Sequence, residues 1–243
     1  RRLAAFDGVF VFDAGQLAFA PALGDVDART RALDAVARTL ADEGALTAWR
    51  DERYEAGAFT IELAAARYFG LRTQAVHVNG LVDLGASAAM WIARRSATKA
   101  IAPGMLDNLV GGGIAAGASV AGTLVKEAWE EAGIRAEVAR TARPAGALHV
   151  RRLQPDGLQH ETIHVYDLWL PRDFVPANQD GEAVEHRFVP LDAMAPLLAN
   201  GEPPDVLTAD ASLVAVDALL RLGTIDAEEP LYPLLADLCG RGR

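Results

Sequence analysis

Cysteine is almost absent from this chain of 243 residues, in which Cys239 is the single example. One cysteine excludes an intramolecular disulfide, and such cysteine usage is typical of a reducing compartment such as the cytoplasm. No apolar run approaches the roughly 20 residues that a helix needs to cross a bilayer. The first residues are also not followed by the apolar segment of a signal peptide. The sequence therefore predicts a cytoplasmic protein without a membrane-spanning helix.

Basic residues are outnumbered, since 23 lysines and arginines face 33 aspartates and glutamates, for a formal net charge of −10. Nonspecific binding to nucleic acid or to an anionic membrane requires a basic surface, so neither is an expected partner. Lys99 and Lys126 are the only lysines, and they lie close together in sequence. The hydrophobic fraction of 51% is that of a globular protein with a sizeable core. A small anionic ligand would therefore need a local cluster of cations or a metal ion.

Helical and strand-like patterns predict three parts along the chain. Residues 1–72 are predicted to form a small α+β domain, because apolar residues recur at helical spacing between Asp25 and Glu43. Residues 73–225 interleave strands with two long helices, which predicts an α/β fold: an α/β/α sandwich around a mixed sheet. Residues 226–243 are predicted to be a C-terminal extension.

An acidic cluster lies in the segment 126–134, which reads KEAWEEAGI. On a helix, Glu127, Glu130 and Glu131 fall within an arc of roughly 100°. Like charges repel at this spacing, so a cation is expected there, and ligation by oxygen alone suits Mg²⁺ or Mn²⁺. A solvated acidic face is the alternative. Trp129 is predicted to lie in the core with the apolar side of the helix.

Glycines flank this helix on both sides. Val110 ends a strand-like run and is followed by Gly111, Gly112 and Gly113, where the backbone can approach a ligand closely. Gly133 is a typical residue at the end of a helix. A strand, a glycine turn, an acidic helix and a glycine stop therefore follow one another within a short stretch.

With these features the chain resembles the Nudix hydrolases, whose box reads G-x5-E-x7-R-E-U-x-E-E-x-G-U, where U is apolar. One position departs from the box, because its first glutamate falls at residue 118, which is Ala118. In the family that glutamate supports the metal site, so its loss bears on metal affinity and turnover. The positions that match are Gly112, Lys126 in place of the arginine, Glu127, Ala128, Glu130, Glu131, Gly133 and Ile134.

The resemblance implies a metal site built from the box. Glu130 and Glu131 would be metal ligands, together with the carbonyl oxygen of Gly111. Glu127 would be a further ligand or the base that deprotonates the attacking water. Lys126 would orient the carboxylates or contact phosphate. The equal alternative is that Lys126 is a surface ion-pair partner of Glu130.

Two further groups of residues complete the predicted site. Nudix enzymes draw an extra carboxylate from a later segment, and Glu182 ranks above Glu161 and Glu185 because it lies in a matching D-G-E sequence. The basic residues before the box would contact the substrate phosphates, with solvated charge as the alternative. These basic residues are Arg94, Arg95 and Lys99.

The segments 91–99 and 103–114 resemble the Nudix branch related to the domain fused to thiamine pyrophosphokinase. This likeness implies hydrolysis of a small organic diphosphate, specifically an oxidised analogue of thiamine diphosphate. The enzyme alternative is a nucleotide-sugar or nucleoside diphosphate pyrophosphatase. Ala118 leaves open a catalytically weak diphosphate-binding protein. A homodimer is compatible with all of these readings.

Overall fold

The polypeptide divides into two units, each with an apolar core of its own. The structure, a computed structural model, describes residues 2–13 and 15–242. The first unit consists of Arg1–Thr73, Ala115–Gly117 and Arg151–His160. The second consists of Gln74–Ile114, Ala118–Val150 and Glu161–Arg243. The segment 226–243, predicted as an extension, thus falls within the second unit.

The first unit is built around one long helix, α1 (Val26–Asp42). The helix begins at Asp25, whose side chain accepts a hydrogen bond from the Ala28 N–H at 2.7 Å. Its buried face packs against a second helix and two small antiparallel sheets. The strands and the second helix are β1 (Phe10–Asp13), β2 (Gln16–Phe19), β3 (Arg53–Glu55), β4 (Thr60–Glu62) and α2 (Leu63–Tyr68).

A larger sheet forms the centre of the second unit. Its strands are β5 (Arg72–Asp83), β6 (Ala88–Arg95), β7 (Leu106–Asn108), β8 (Val110–Gly113), β9 (Arg143–Gln154), β10 (Gly157–Leu170) and β11 (Ala183–Pro190). The order is β11-β6-β5-β10-β9, with β7 beside β6 and β8 beside β5. Strand β6 is antiparallel to β5, β7 and β11. Hydrogen bonds of Gln74 with His164 and of Asn79 with Asp167 follow the same chain direction, which makes β10 parallel to β5.

Helices cover both faces of this sheet. They are α3 (Val120–Ala132), α4 (Ala136–Ala139), α5 (Leu191–Asn200), α6 (Ala209–Arg221) and α7 (Tyr232–Leu238). Ala128 of α3 packs with Val76 and Val78 on one face, whereas Ala215 of α6 packs with Leu81 on the other. Alternate residues of a strand face opposite sides, which explains this division. The predicted α/β/α sandwich with a mixed sheet is confirmed.

The predicted position of Trp129 in the core is wrong. Its side chain is 49% exposed, whereas Leu124, Ala128 and Ala132 of the same helix are buried. Trp129 lies about 100° around the helix from Ala128, which places it beside the buried stripe of α3. Among residues 2–13 and 15–242, no helix has the length and apolar character that crossing a membrane requires.

A chain of ion pairs is centred on Asp217 of α6. Arg221 Nε donates to Asp217 at 2.8 Å and Arg221 Nη2 donates to Asp167 at 2.9 Å. Arg241 adds a second guanidinium to Asp217, whose side chain is 1% exposed. Asn79 donates to the other end of the chain at Asp167, 3.0 Å away. Asp217 is therefore a buried charge whose compensation comes from arginines near the end of the polypeptide.

Candidate active site

Strand β8 and helix α3 meet through their glycines and glutamates. The backbone N–H of Gly111 donates to Glu131 Oε2 at 2.7 Å. A Cβ atom at Gly112 would lie 2.5 Å from Cγ of Glu127, closer than two such carbons can approach. Glycine at this position therefore lets the Glu127 side chain lie directly against the strand. Two of the three box carboxylates, Glu127 and Glu131, therefore lie against glycines of β8, which form a strand rather than the predicted turn.

The seated carboxylates carry an excess of negative charge. Burial raises the pKa of Glu131 well above its usual range, the Gly111 N–H opposes this rise, and the charges of Asp107 and Glu127 add to it. Burial also raises the pKa of Glu127, against the opposing effect of Lys126. A bound cation would offset the cost of burying two negative charges close together. This is the electrostatic condition for a metal site.

Lys126 bridges two of the box carboxylates from the solvent side. Its Nζ donates to Glu127 at 3.0 Å and to Glu130 at 2.6 Å. Burial lowers the pKa of Lys126, but the hydrogen bonds to Glu130 and Glu127 outweigh it and raise the pKa above its ordinary value. Its side chain is 59% exposed, so the ammonium lies at the rim. The pair with Glu130 is the surface contact given as the alternative, and the role of orienting the carboxylates stays a prediction.

A pocket opens beside Glu131 on the α3 side of the sheet. Lys99 forms an ion pair with Glu182 there, and Arg95 donates to Asp107 at 2.7 Å. Arg95 is held further by the carbonyl oxygen of Ile101 at 3.0 Å. The pocket therefore gathers four of the predicted site residues. Its lining consists of Ala93, Arg95, Lys99, Asp107, Asn108, Glu131, Glu182 and Ala183.

Arg94 does not line this pocket, and its placement among the phosphate contacts needs correction. Successive strand residues point to opposite faces, so Arg94 leaves β6 on the side opposite to Arg95. Its guanidinium donates to Glu185 at 2.6 Å and to the carbonyl oxygen of Gly104 at 2.8 Å. It also pairs with Asp205. These partners occupy the guanidinium in a network away from the pocket.

Two residues of the site were missed from the sequence. Asp107 lies opposite Ala93 in the pairing of β7 with β6, and both line the pocket. The sequence signal that could have revealed it is an acidic residue four positions before Gly111. His186 Nε2 lies 3.1 Å from the carbonyl oxygen of Glu131 and ties the end of α3 to β11. No sequence pattern marks that contact.

Three of the four predicted carboxylate ligands are paired with a lysine in this structure. Within the described residues, no three Asp, Glu, His or Cys side chains already surround one point closely enough to hold a metal ion. Lys126 holds Glu127 and Glu130, and Lys99 holds Glu182. The donor set nevertheless fits a hard divalent ion, because it consists of oxygens and Gly112 makes room for one of them. A metal ion at these carboxylates would replace the contacts that the lysines now make with them.

Comparison with known proteins decides the family. A model described as the NUDIX domain matches residues 73–210, which is more than half of the chain. The chain belongs to the Nudix family. Members of this family act on diphosphate substrates and generally use divalent metal ions. Residues 1–73 match a second model, described as a domain of unknown function (DUF4743).

Two curated relatives of this Nudix chain come from Arabidopsis thaliana. Nudix hydrolase 20, chloroplastic, is 38% identical over 211 residues, which cover 84% of this chain and 56% of the relative. Nudix hydrolase 24, chloroplastic, is 37% identical over 236 residues, which cover 93% of this chain and 64% of the relative. The chain thus spans less than two thirds of the length of either relative. The prediction of a cytoplasmic location is wrong, because both relatives are named as chloroplastic.

Solved structures show a similar Nudix domain at low sequence identity. The NUDIX domain of Shewanella oneidensis NrtR, complexed with ADP ribose, is 14% identical, with a TM-score of 0.48 over 62% of this chain and 88% of that one. A C. elegans Ap4A hydrolase in a binary complex is 12% identical, with a TM-score of 0.46 over 63% of this chain and 99% of that one.

Proposed function

We propose that this Nudix chain is a Mg²⁺-dependent hydrolase of a small organic diphosphate, with Mn²⁺ as the alternative ion. The observation that carries the proposal is Glu131, a carboxylate held by the Gly111 N–H in the pocket without an ion-pair partner among the described residues. The reaction would add water across the anhydride and give an organic monophosphate and phosphate. A bound metal ion would supply charge neutralisation and lower the pKa of a coordinated water.

Each residue then has a proposed task. Glu127, Glu130, Glu131 and Glu182 would hold the metal with the carbonyl oxygen of Gly111. Glu127 would be a further ligand or the base that takes the proton of the attacking water. Lys126 would orient the box carboxylates. Arg95 and Lys99 would contact the phosphates, since they line the pocket beside Glu131.

The proposed substrate is a diphosphate of a thiamine-like heterocycle, as the segments 91–99 and 103–114 suggest. A panel containing oxythiamine diphosphate, thiamine diphosphate, ADP-ribose and a nucleoside triphosphate, assayed at one Mg²⁺ concentration, tests this substrate class. The ratio of kcat/KM values is the relevant readout. A preference of about tenfold or more for ADP-ribose or the triphosphate would exclude the thiamine assignment and leave the nucleotide pyrophosphatase. The proposed homodimer is tested by light scattering of the purified chain.

A diphosphate-binding protein with little turnover is a second candidate, favoured by the residue at the first glutamate position of the box. Ala118 is exposed and lies directly before Ser119, the residue that caps α3. A glutamate there would project from the start of the helix. Binding of inorganic pyrophosphate without product from any member of the panel would support this candidate.

Replacing Ala118 with glutamate is expected to raise Mg²⁺ affinity or kcat, because it restores the missing carboxylate. A tenfold gain would correspond to about 1.4 kcal/mol of added stabilisation. Calorimetric titration of Mg²⁺ and steady-state kinetics measure the two effects. Ala116→Glu in the same loop is the matched control and is expected to give neither gain. A loss of activity in Ala118→Glu would show that another acid already fills that space.

Replacing Gly112 with alanine is expected to weaken Mg²⁺ binding about tenfold, or about 1.4 kcal/mol. The new methyl group would lie 2.5 Å from Cγ of Glu127 and push its carboxylate off the strand. Titration of Mg²⁺ followed by thermal melting measures the change. Gly24→Ala is the control, because no atom lies within 4 Å of its added Cβ. Unaltered Mg²⁺ affinity in Gly112→Ala would mean that Glu127 is not a ligand.

A further inference from the structure

The ion pair between Lys99 and Glu182 lies inside the pocket that holds Glu131. The Lys99 side chain is 14% exposed and that of Glu182 is 44% exposed. A phosphate group approaching this pocket therefore meets a lysine whose charge is already neutralised, next to the unpaired carboxylate of Glu131. In this state the pocket offers little attraction to a free anion.

The backbones that carry the pair are tied to each other. The Ser96 N–H donates to the carbonyl oxygen of Glu182 at 2.8 Å, and the Lys99 N–H donates to the carbonyl oxygen of Ser96 at 3.2 Å. The Glu182 N–H in turn donates to the Asp180 side chain at 2.8 Å. Separation of the pair is therefore a movement of side chains. The carboxylate of Glu182 is the part with access to solvent and hence with room to turn.

Glu182 also lies within electrostatic reach of the box. Its charge is one of those that raise the pKa of Glu127, which is seated against Gly112. A divalent ion at Glu127 and Glu131 would compete with one ammonium for the same carboxylate, with twice its charge. Lys99, which is largely buried, would stay where it lines the pocket.

We propose that Glu182 masks Lys99 in the metal-free protein, and that its transfer to the metal releases Lys99 to bind a phosphate of the substrate. The pocket consequently accepts a diphosphate as its metal complex and discriminates against the free anion. Glu182 is in this view a specificity-determining residue as well as a ligand. The inference rests on the proposed metal site and adds to it a coupling between metal and phosphate through one ion pair.

Calorimetric titration of inorganic pyrophosphate into the folded chain tests the masking directly. In the presence of a chelator, Glu182→Gln is expected to bind pyrophosphate about tenfold more tightly than the wild type, because Lys99 is released. Glu131→Gln is the matched control, since it alters a carboxylate of the same pocket that is not the ion-pair partner of Lys99, and a gain of under about threefold is expected. With Mg²⁺ present, the advantage of Glu182→Gln over the wild type should disappear.

The double variant Lys99→Met with Glu182→Gln decides whether the lysine is responsible. The gain of Glu182→Gln is expected to be absent from the double variant, since there is no ammonium left to release. An equal gain with and without Lys99 would overturn the proposal, because it would reflect only the loss of a negative charge. Titration of Mg²⁺ alone into the wild type tests the proposed function separately. Absence of Mg²⁺ binding would refute the metal site, whereas a gain independent of Lys99 would refute the masking.

Discussion

Replacing Glu131 with glutamine is expected to lower kcat/KM by about a hundredfold to a thousandfold, the usual cost of removing one preorganised electrostatic group from an active site. The substitution keeps the size of the side chain and can keep the hydrogen bond from Gly111, so only the charge is lost. Mg²⁺ should then no longer raise the melting temperature, because binding to the folded state is the source of that shift. Steady-state kinetics and thermal melts with and without Mg²⁺ measure both effects.

The same variant is expected to stabilise the metal-free protein at neutral pH. Burial raises the folded-state pKa of Glu131 above its unfolded value, so its contribution to stability is fully present below about pH 4.3 and is lost as the pH rises through the raised pKa. Glutamine removes this loss. Each kcal/mol regained would raise the melting temperature by about 2–4 °C in a chain of this size.

Glu137→Gln is the control for both measurements, because the Glu137 side chain is 63% exposed and forms a surface ion pair with Arg135. It should leave activity, the Mg²⁺ response and the pH profile unchanged. If Glu131→Gln also keeps the Mg²⁺ response, the metal does not use Glu131 and the proposed site is wrong. A metal-free Glu131→Gln protein that is less stable at neutral pH than the wild type would instead contradict the electrostatic account of this carboxylate.

Replacing Asp217 with alanine is expected to cost about 3–5 kcal/mol of folding free energy, the range seen when one member of a buried ion pair is removed. Arg221 and Arg241 would both lose the carboxylate between them, and Arg221 would keep only Asp167. Urea unfolding followed by circular dichroism measures the loss as a lower midpoint.

Glu137→Ala serves as the comparison for this second substitution as well, because it breaks an exposed ion pair with Arg135. Exposed pairs contribute about 0–1 kcal/mol, so the unfolding midpoint of Glu137→Ala should barely move. If Asp217→Ala lowers the free energy of unfolding by less than about 1 kcal/mol, the ion pairs of Asp217 contribute no more than exposed pairs do. The buried position of Asp217 would then have no energetic consequence.

The sequence was sufficient to predict the α/β/α sandwich, because the patterns that indicate its helices and strands are local. Helix α3 carries its cap at Ser119, its carboxylates and its stop at Gly133 within one short segment. Helix α6 likewise carries its own cap, because the Thr208 side chain accepts a hydrogen bond from the Ala211 N–H. Spacing along one element fixes such features without reference to the rest of the chain.

The pocket could not be predicted in the same way, because strand register decides it. Arg94 and Arg95 are equivalent by composition, yet the pleat of β6 sends only Arg95 into the pocket. Asp107 enters because it lies opposite Ala93, a relation that no spacing within one strand reveals. The pairing of Lys99 with Glu182 joins residues far apart in sequence.

The scarcity of lysine has a practical consequence for anyone who handles this protein. Reagents that attack primary amines can modify side chains only at Lys99 and Lys126, and both ammoniums contact carboxylates of the proposed metal site. Lys126 is the more accessible of the two, so coupling the chain to a sensor surface through amines would attach it at the rim of that site. Immobilisation through the amino terminus or an engineered tag avoids attachment at the site. Cross-linking through lysine side chains would likewise report on the second unit alone, since the first unit contains no lysine.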